Sequence, residues 1–293
     1  IAADVLANLT AIEARRRADR SLPVILTQRT HTSTFIAGKF NKLNRKKLLA
    51  GIERLYPEAE AIIGVSEGVS ADLIDMGLPR HLVRTIYNPV IGPDTVRLAA
   101  EAIDHPWFRT GQPPVILGVG RLTPQKDYPT LVRAFARLID RGRDLRLVIV
   151  GSEKSEADRK ELLTLASSLG VQDRLDLPGS VANPFGFMAR SALVACSSRW
   201  EGLPAMLIEA LAVGTPAVST DCPSGPREVL DGGALGRLVP MGDDEALAEA
   251  MAATLDDPPD PERLKQSTAR FTVQASVDAY SALIDEVCLK RAA

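Results

Sequence analysis

Two glutamates, Glu201 and Glu209, stand eight positions apart, the first in Trp200-Glu201-Gly202-Leu203-Pro204 and the second inside the apolar run that follows. Pro204 suits the first turn of a helix and Gly214 its end, so 205–213 reads as helical. A helix apolar on all sides is buried, and a carboxylate carried into such a place is costly unless it is paired or hydrogen-bonded. Glu209 therefore needs either a basic partner, Arg227 being one choice, or a ligand rich in hydroxyl donors. Glu201 precedes the helix, where a loop would meet a cleft; it either caps the helix or faces a ligand. Upstream runs Gly118-Val119-Gly120-Arg121-Leu122-Thr123-Pro124-Gln125-Lys126-Asp127. Glycine lets a backbone approach a ligand closely, and an arginine five residues before a lysine can bring a planar fork and a point charge to one phosphate cluster. The bland reading is a packing glycine pair, Arg121 in a surface ion pair and Lys126 solvated. The stretch matches neither G-x-x-x-x-G-K-[ST] nor G-x-G-x-x-G, which disfavours a hydride-transferring dinucleotide enzyme.

Elements able to position these groups alternate from residue 115 onward. Apolar runs at 115–119, 145–150, 175–178, 192–196 and 215–219 are separated by helical stretches at 128–140, 158–169, 185–190 and 205–213. Strands that are apolar throughout are buried on both faces, as in a parallel sheet covered by helices. This predicts a doubly wound α/β domain whose ligands sit beyond the carboxyl ends of the strands, where Arg121 and Glu201 lie. The first ninety residues repeat the theme with strands at 24–27, 61–65 and 83–87 and helices at 3–17 and 41–56; two or three strands make a poor independent sheet. Proline and glycine crowd 88–114, the composition of a connection between domains. The predicted organisation is 1–90 as a partial first domain, 91–114 as the connection, 115–260 as the second domain and 261–293 as a tail built around a helix at 273–289.

A chain of 293 residues with 45% hydrophobic and 25% charged residues is long enough for two ordinary globular domains. The net charge of -2 argues against nucleic acid as a partner. Cys196, Cys222 and Cys288 are odd in number and widely spaced, so neither a disulfide framework nor a zinc site is expected, and a reducing, cytoplasmic setting is the natural reading. No stretch approaches the length of a membrane-spanning run, and nothing at the start reads as a leader peptide.

Taken together, the Gly-Arg-Leu and lysine loop, the glutamate pair and the intervening Gly-Leu-Pro resemble retaining glycosyltransferases of the GT-B fold, in the large group called family 4. Ala61-Ile62-Ile63-Gly64-Val65-Ser66-Glu67, Ile86-Tyr87-Asn88-Pro89-Val90 and Asp221-Cys222-Pro223-Ser224-Gly225-Pro226-Arg227-Glu228 agree with it. The resemblance implies two Rossmann-like domains facing a cleft and transfer of a sugar from a nucleotide diphosphate to a hydroxyl with retained anomeric configuration, in polysaccharide, lipopolysaccharide or glycolipid assembly. By similarity, Gly120, Arg121 and Lys126 would hold the donor diphosphate, Glu209 the ribose hydroxyls and Glu201 the transferred sugar, and the helical tail 261–293 would pack back toward the first domain. The backbone N–H groups of Gly202 and Leu203 would face phosphate, and the loop Gly179-Ser180-Val181 the base. No two aspartates are separated by one residue, so the Asp-x-Asp pair that holds a divalent ion in many other glycosyltransferases is absent; no metal and no cofactor beyond the donor substrate are expected.

On the acceptor side, His31, or Arg29, follows the strand at 24–27 and would face the cleft; relatives often place a histidine or arginine nearby. The segment 35–56 carries Lys39, Lys42, Arg45, Lys46, Lys47 and Arg54 among Phe40, Leu43, Leu48, Leu49 and Ile52. It reads either as a solvated helix face or as an attachment to an anionic membrane, on its inner face, that carries a lipid-linked saccharide acceptor. Such enzymes have two domains of similar size, so the short first domain and the start at Ile1 suggest a chain cut at its N-terminus. The competing readings are a non-catalytic nucleotide-sugar-binding fragment and a GT-B nucleotide-sugar epimerase.

Overall fold

The computed structural model describes residues 1–18, 21–153 and 155–292; Ala293 of the predicted tail lies outside them. Two separate parallel sheets form. The first contains β1 (Ala2–Ala3), β2 (Ile25–Gln28), β3 (Ala61–Gly64) and β4 (Val83–Thr85), in that spatial order. The sheet therefore gains a strand that the sequence reading lacked: Ala2 and Ala3 pair with Leu26 and Thr27, and two alanines are too short a run to signal themselves.

The second sheet contains β5 (Val115–Val119), β6 (Arg146–Val150), β7 (Leu175–Gly179), β8 (Leu193–Cys196), β9 (Ala217–Thr220) and β10 (Arg237–Val239), ordered β10-β9-β8-β5-β6-β7. Read from β7, this is the 3-2-1-4-5-6 order of dinucleotide-type folds, and the winding direction reverses between β5 and β8. Its central strands β5, β6 and β8 are apolar except at Arg146, because both faces are covered. Val115, Leu117, Val148, Val150, Val194 and Cys196 face one core, shared with helices Pro184–Met188 and Ala205–Ala212. Ile116, Leu147, Ile149, Leu193, Ala195 and Val218 face another, under helices Tyr128–Asp140, Glu156–Ser168 and Asp244–Asp256. β10 and helix Asp244–Asp256 were not anticipated. The strand offers three residues of mixed burial rather than an apolar run.

The connecting segment is structured. Helix Thr95–Ala100 packs on Pro184–Met188, with Asn183 Nδ2 donating to Leu98 O at 2.8 Å and Arg190 Nη1 to Ala99 O at 3.0 Å. His105 Nε2 meets Asp176 Oδ2 at 2.9 Å beside Trp107, Phe108 and Phe187. The chain recrosses at Phe271, whose carbonyl accepts from both Val90 N and Ile91 N, at 2.9 and 3.0 Å. The last helix, Val273–Ala292, then lies on the first sheet, where Leu283 and Val287 bury against Ile25, Ala61, Ile63 and Ile86. Arg84 and Glu286 close that contact with two hydrogen bonds of 2.5 and 2.7 Å. The basic stretch 35–56 is two helices, Thr32–Lys39 and Lys42–Leu55, because Asn41 caps the second with its side chain on Asn44 N at 3.0 Å.

Candidate active site

The loops that leave β5 and β8 face each other across the reversal point. The first, residues 120–127, is anchored at its base where Gly120 N donates to Val150 O at 2.9 Å and Gly120 O accepts from the Tyr128 hydroxyl at 3.1 Å. Gly151 permits this close approach: its φ is 154°, and a Cβ there would lie 1.9 Å from Gly120 O. The second loop, residues 197–204, is laced to the first. Ser197 Oγ donates to Lys126 O at 2.7 Å, Gln125 Nε2 to Trp200 O at 2.9 Å, and Arg199 pairs with Asp127 at 3.0 Å.

This lacing brings Lys126 and Glu201 into contact, Nζ to Oε1 at 2.6 Å, with side-chain exposures of only 18% and 8%. Ser198, fully buried, adds its hydroxyl to the same carboxylate oxygen at 2.6 Å. Burial is the largest single influence and works against the charge on Lys126, but the attraction and hydrogen bond of Glu201, together with the nearby Cys196 and Cys222, outweigh it and hold the ammonium above the ordinary lysine range. Lys126 is therefore not a solvated side chain, and Glu201 is more than a helix cap. Arg121 is exposed and forms no ion pair among the described residues, leaving a free guanidinium at the mouth of the same site.

Glu209 lies on helix Ala205–Ala212, whose other inward positions, Met206, Leu207, Ile208, Ala210 and Leu211, are buried. The carboxylate itself is half-buried and takes no hydrogen bond among the described residues. Burial pushes it above the ordinary glutamate range, and only partial relief comes from the charge on Lys126. The proposed structural pair with Arg227 does not form, since Arg227 bonds Asp221 instead. Glu201, Lys126 and Glu209 thus belong to one electrostatic cluster. The N–H groups of Gly202 and Leu203 make no backbone hydrogen bond among the described residues. Val181 packs on the core next to the end of β7, whose Gly179 O accepts from Gly151 N at 2.9 Å.

The first domain closes onto this loop. His31 N donates to Glu201 O at 3.4 Å, and a Cβ on Gly202 would lie 1.9 Å from Arg29 O. His31 therefore stands beside Glu201 at the domain boundary, while the Arg29 side chain is exposed. Farther along the boundary Glu67 N donates to Glu228 Oε2 at 2.8 Å, and Glu228 Oε1 is buried without a hydrogen bond among the described residues. Sequence reasoning missed Ser198, although two serines directly after an apolar strand were a usable sign of buried hydroxyls at a strand end. Asp72, which contacts His31 and Ser33, gave no signal at all.

Comparison with known proteins agrees with this architecture. A family profile described as glycosyl transferases group 1 matches residues 100–271, and one described as glycosyltransferase family 4 matches residues 2–91. The N-acetylgalactosamine-N,N'-diacetylbacillosaminyl-diphospho-undecaprenol 4-alpha-N-acetylgalactosaminyltransferase of Campylobacter jejuni is 31% identical over 251 residues, which cover 85% of this chain and 65% of that protein. A lipopolysaccharide core biosynthesis glycosyltransferase of Rhizobium meliloti, LpsE, is 30% identical, covering 78% of this chain and again 65% of its own length. Among solved structures, Anabaena HepE in complex with UDP and glucose superposes with a TM-score of 0.77 at 20% identity, covering 97% of this chain and 76% of that one. The two sheets and their cleft form a GT-B fold.

Proposed function

The chain belongs to the group 1 glycosyl transferases, and from that premise we propose that it transfers a sugar from a nucleotide diphosphate to an acceptor hydroxyl with retention of anomeric configuration. The observation that carries this reading is the cluster at the reversal point: a buried Lys126–Glu201 pair, with an Arg121 that forms no ion pair and a half-buried Glu209 that takes no hydrogen bond among the described residues. Departure of the sugar leaves negative charge on the diphosphate, and cations fixed where that charge develops stabilise the transition state. Lys126, kept charged by Glu201, and Arg121 supply them; the amides of Gly202 and Leu203 add neutral donors, while Gly120, whose own N–H is held by Val150 O, contributes close backbone approach. Ribose hydroxyls give Glu209 the hydrogen bonds that the protein withholds, and Val181 lies at the edge where a base would rest. Glu201 hydrogen-bonds the transferred sugar, and His31 meets the acceptor.

A thermal-shift screen with UDP, GDP and ADP sugars tests donor binding, and proton NMR of the first product anomer tests retention. A chain stabilised by none of these nucleotides would refute the reading. The same reading has the reaction proceed without a metal, because arginine and lysine stand where the charge would develop; complete loss in excess chelator, restored by manganese, would count against this. The relatives point to a saccharide or lipid-linked saccharide acceptor in surface polysaccharide assembly. No described helix is long and apolar enough to cross a membrane. Exposed Leu43 and Leu49 beside exposed Lys42, Lys46 and Lys47 on helix Lys42–Leu55 support peripheral attachment to an anionic bilayer on its cytoplasmic side. Sedimentation with anionic vesicles at low salt should carry the protein down, and neutral vesicles should not.

A further inference from the structure

Three oxygens surround Nδ1 of His31: Thr34 Oγ1 at 3.1 Å, Ser33 Oγ at 3.3 Å and Asp72 Oδ1 at 3.4 Å. Asp72 comes from another element, helix Glu67–Asp75, and its side chain is 5% exposed. It accepts the Ser33 N–H at 3.0 Å and the Ser33 hydroxyl at 2.5 Å. A hydroxyl has a single proton. With that proton given to Asp72, Ser33 Oγ can offer His31 only a lone pair, and a carboxylate likewise only accepts. Two of the three neighbours therefore call for a proton on Nδ1, while Thr34 can turn its hydroxyl to suit. A neutral imidazole protonated at Nδ1 carries a bare lone pair at Nε2. Nε2 makes no hydrogen bond among the described residues, and the ring, 19% exposed, adjoins Glu201 through its own backbone.

We propose that Asp72 is a positioning residue: together with Ser33 it fixes the tautomer of His31, so that Nε2 accepts a hydrogen bond from the acceptor hydroxyl beside Glu201. Its purpose rests on the sugar-transfer reading above, but the tautomer itself does not. The plainer role, in which Asp72 only caps helix Thr32–Lys39 through the Ser33 N–H, requires no preference at His31.

Nitrogen-15 NMR of the histidine rings in the full, ligand-free chain separates these roles. There are three histidines, and loss of one signal set in H31Q assigns His31. In the intact protein, at a pH where the ring is neutral, the proton should reside almost wholly on Nδ1. In D72A the preference should collapse to a mixture, because Ser33 is then free to donate. In D72N, which keeps an acceptor for the Ser33 N–H but brings an N–H donor to Nδ1, the proton should move to Nε2. A proton on Nε2 in the intact chain, or an undiminished Nδ1 preference in both variants, overturns the proposal; the intact-chain spectrum decides by itself if a variant does not fold. Affinity for whichever of UDP, GDP or ADP the intact chain binds should stay within about twofold in D72N. A loss of about tenfold or more would make Asp72 a support of the donor side and overturn its assignment to His31. Failure of the intact chain to bind any of the three would sink the transferase reading and leave the tautomer measurement standing.

Discussion

At the scale of the residue, the site is an unusual economy of charge, with one lysine serving two glutamates. Removing one partner of a mostly buried pair strands the other, at a cost of about 3–5 kcal/mol, so Lys126→Met should lower stability by that order and cut turnover by about 10²–10³-fold. Glu201→Gln keeps the Ser198 bond and should cost less. In chemical denaturation the double variant should lose less than the sum of the singles, by about 0.5–3 kcal/mol, while regaining no activity; strict additivity would show the two side chains to be uncoupled. Glu209 makes the opposite case. Its folded-state carboxyl sits above the ordinary glutamate range through burial, so the folded chain holds a proton that the unfolded chain has released, and stability falls as pH rises through that window. Glu209→Gln should therefore raise the melting temperature of the ligand-free protein at neutral pH, with the gain vanishing below the carboxylate range, and should abolish nucleotide binding. Glu209 was legible in the sequence because a carboxylate in an apolar helix is conspicuous. Asp72 was not, since an aspartate one turn from a helix end looks like any solvated side chain until the fold buries it.

At the scale of the element, each loop of the candidate site is only as well placed as the strand ends beneath it. The loop with Arg121 and Lys126 rests on the end of β6, where Gly151 lets the two backbones touch. Gly151→Ala imposes both a left-handed φ and a collision with Gly120 O, strain of about 1–3 kcal/mol. It should weaken nucleotide binding, measured by calorimetry, while leaving helical content by circular dichroism unchanged; wild-type affinity would show that the loop does not depend on this support. The central strands of the second sheet were readable because burial on both faces leaves few polar positions, and the doubly wound class follows from their alternation with helices. Two of the edge strands lack this signature: β1 is two alanines, β10 is three residues of mixed burial, and their pairing is decided by neighbours far away in the chain.

At the scale of the whole molecule, the last helix makes the first sheet dependent on the far end of the chain. Leu283 is 3% exposed between Ile25, Ala61, Ile63 and Ile86. Leu283→Ala should cost about 2–5 kcal/mol, read as a lower urea midpoint for a probe in the first domain; a midpoint unchanged from wild type would mean that the helix adds nothing to that core. The family resemblance implies that this helix returns to the first domain, but no local pattern in 273–289 names the strands it covers, which lie about two hundred positions earlier. The chain passes between the domains twice, at Val90–Ile91 and at Phe271–Thr272, and the two passages are bonded side by side, both amides of the outgoing strand on the carbonyl of Phe271. Paired crossings of this kind act as a door hinge. A swing of one domain about the line they define would leave these bonds intact, whereas sliding or twisting would break them, so such a swing should carry Arg29 and His31 away from Glu201 together.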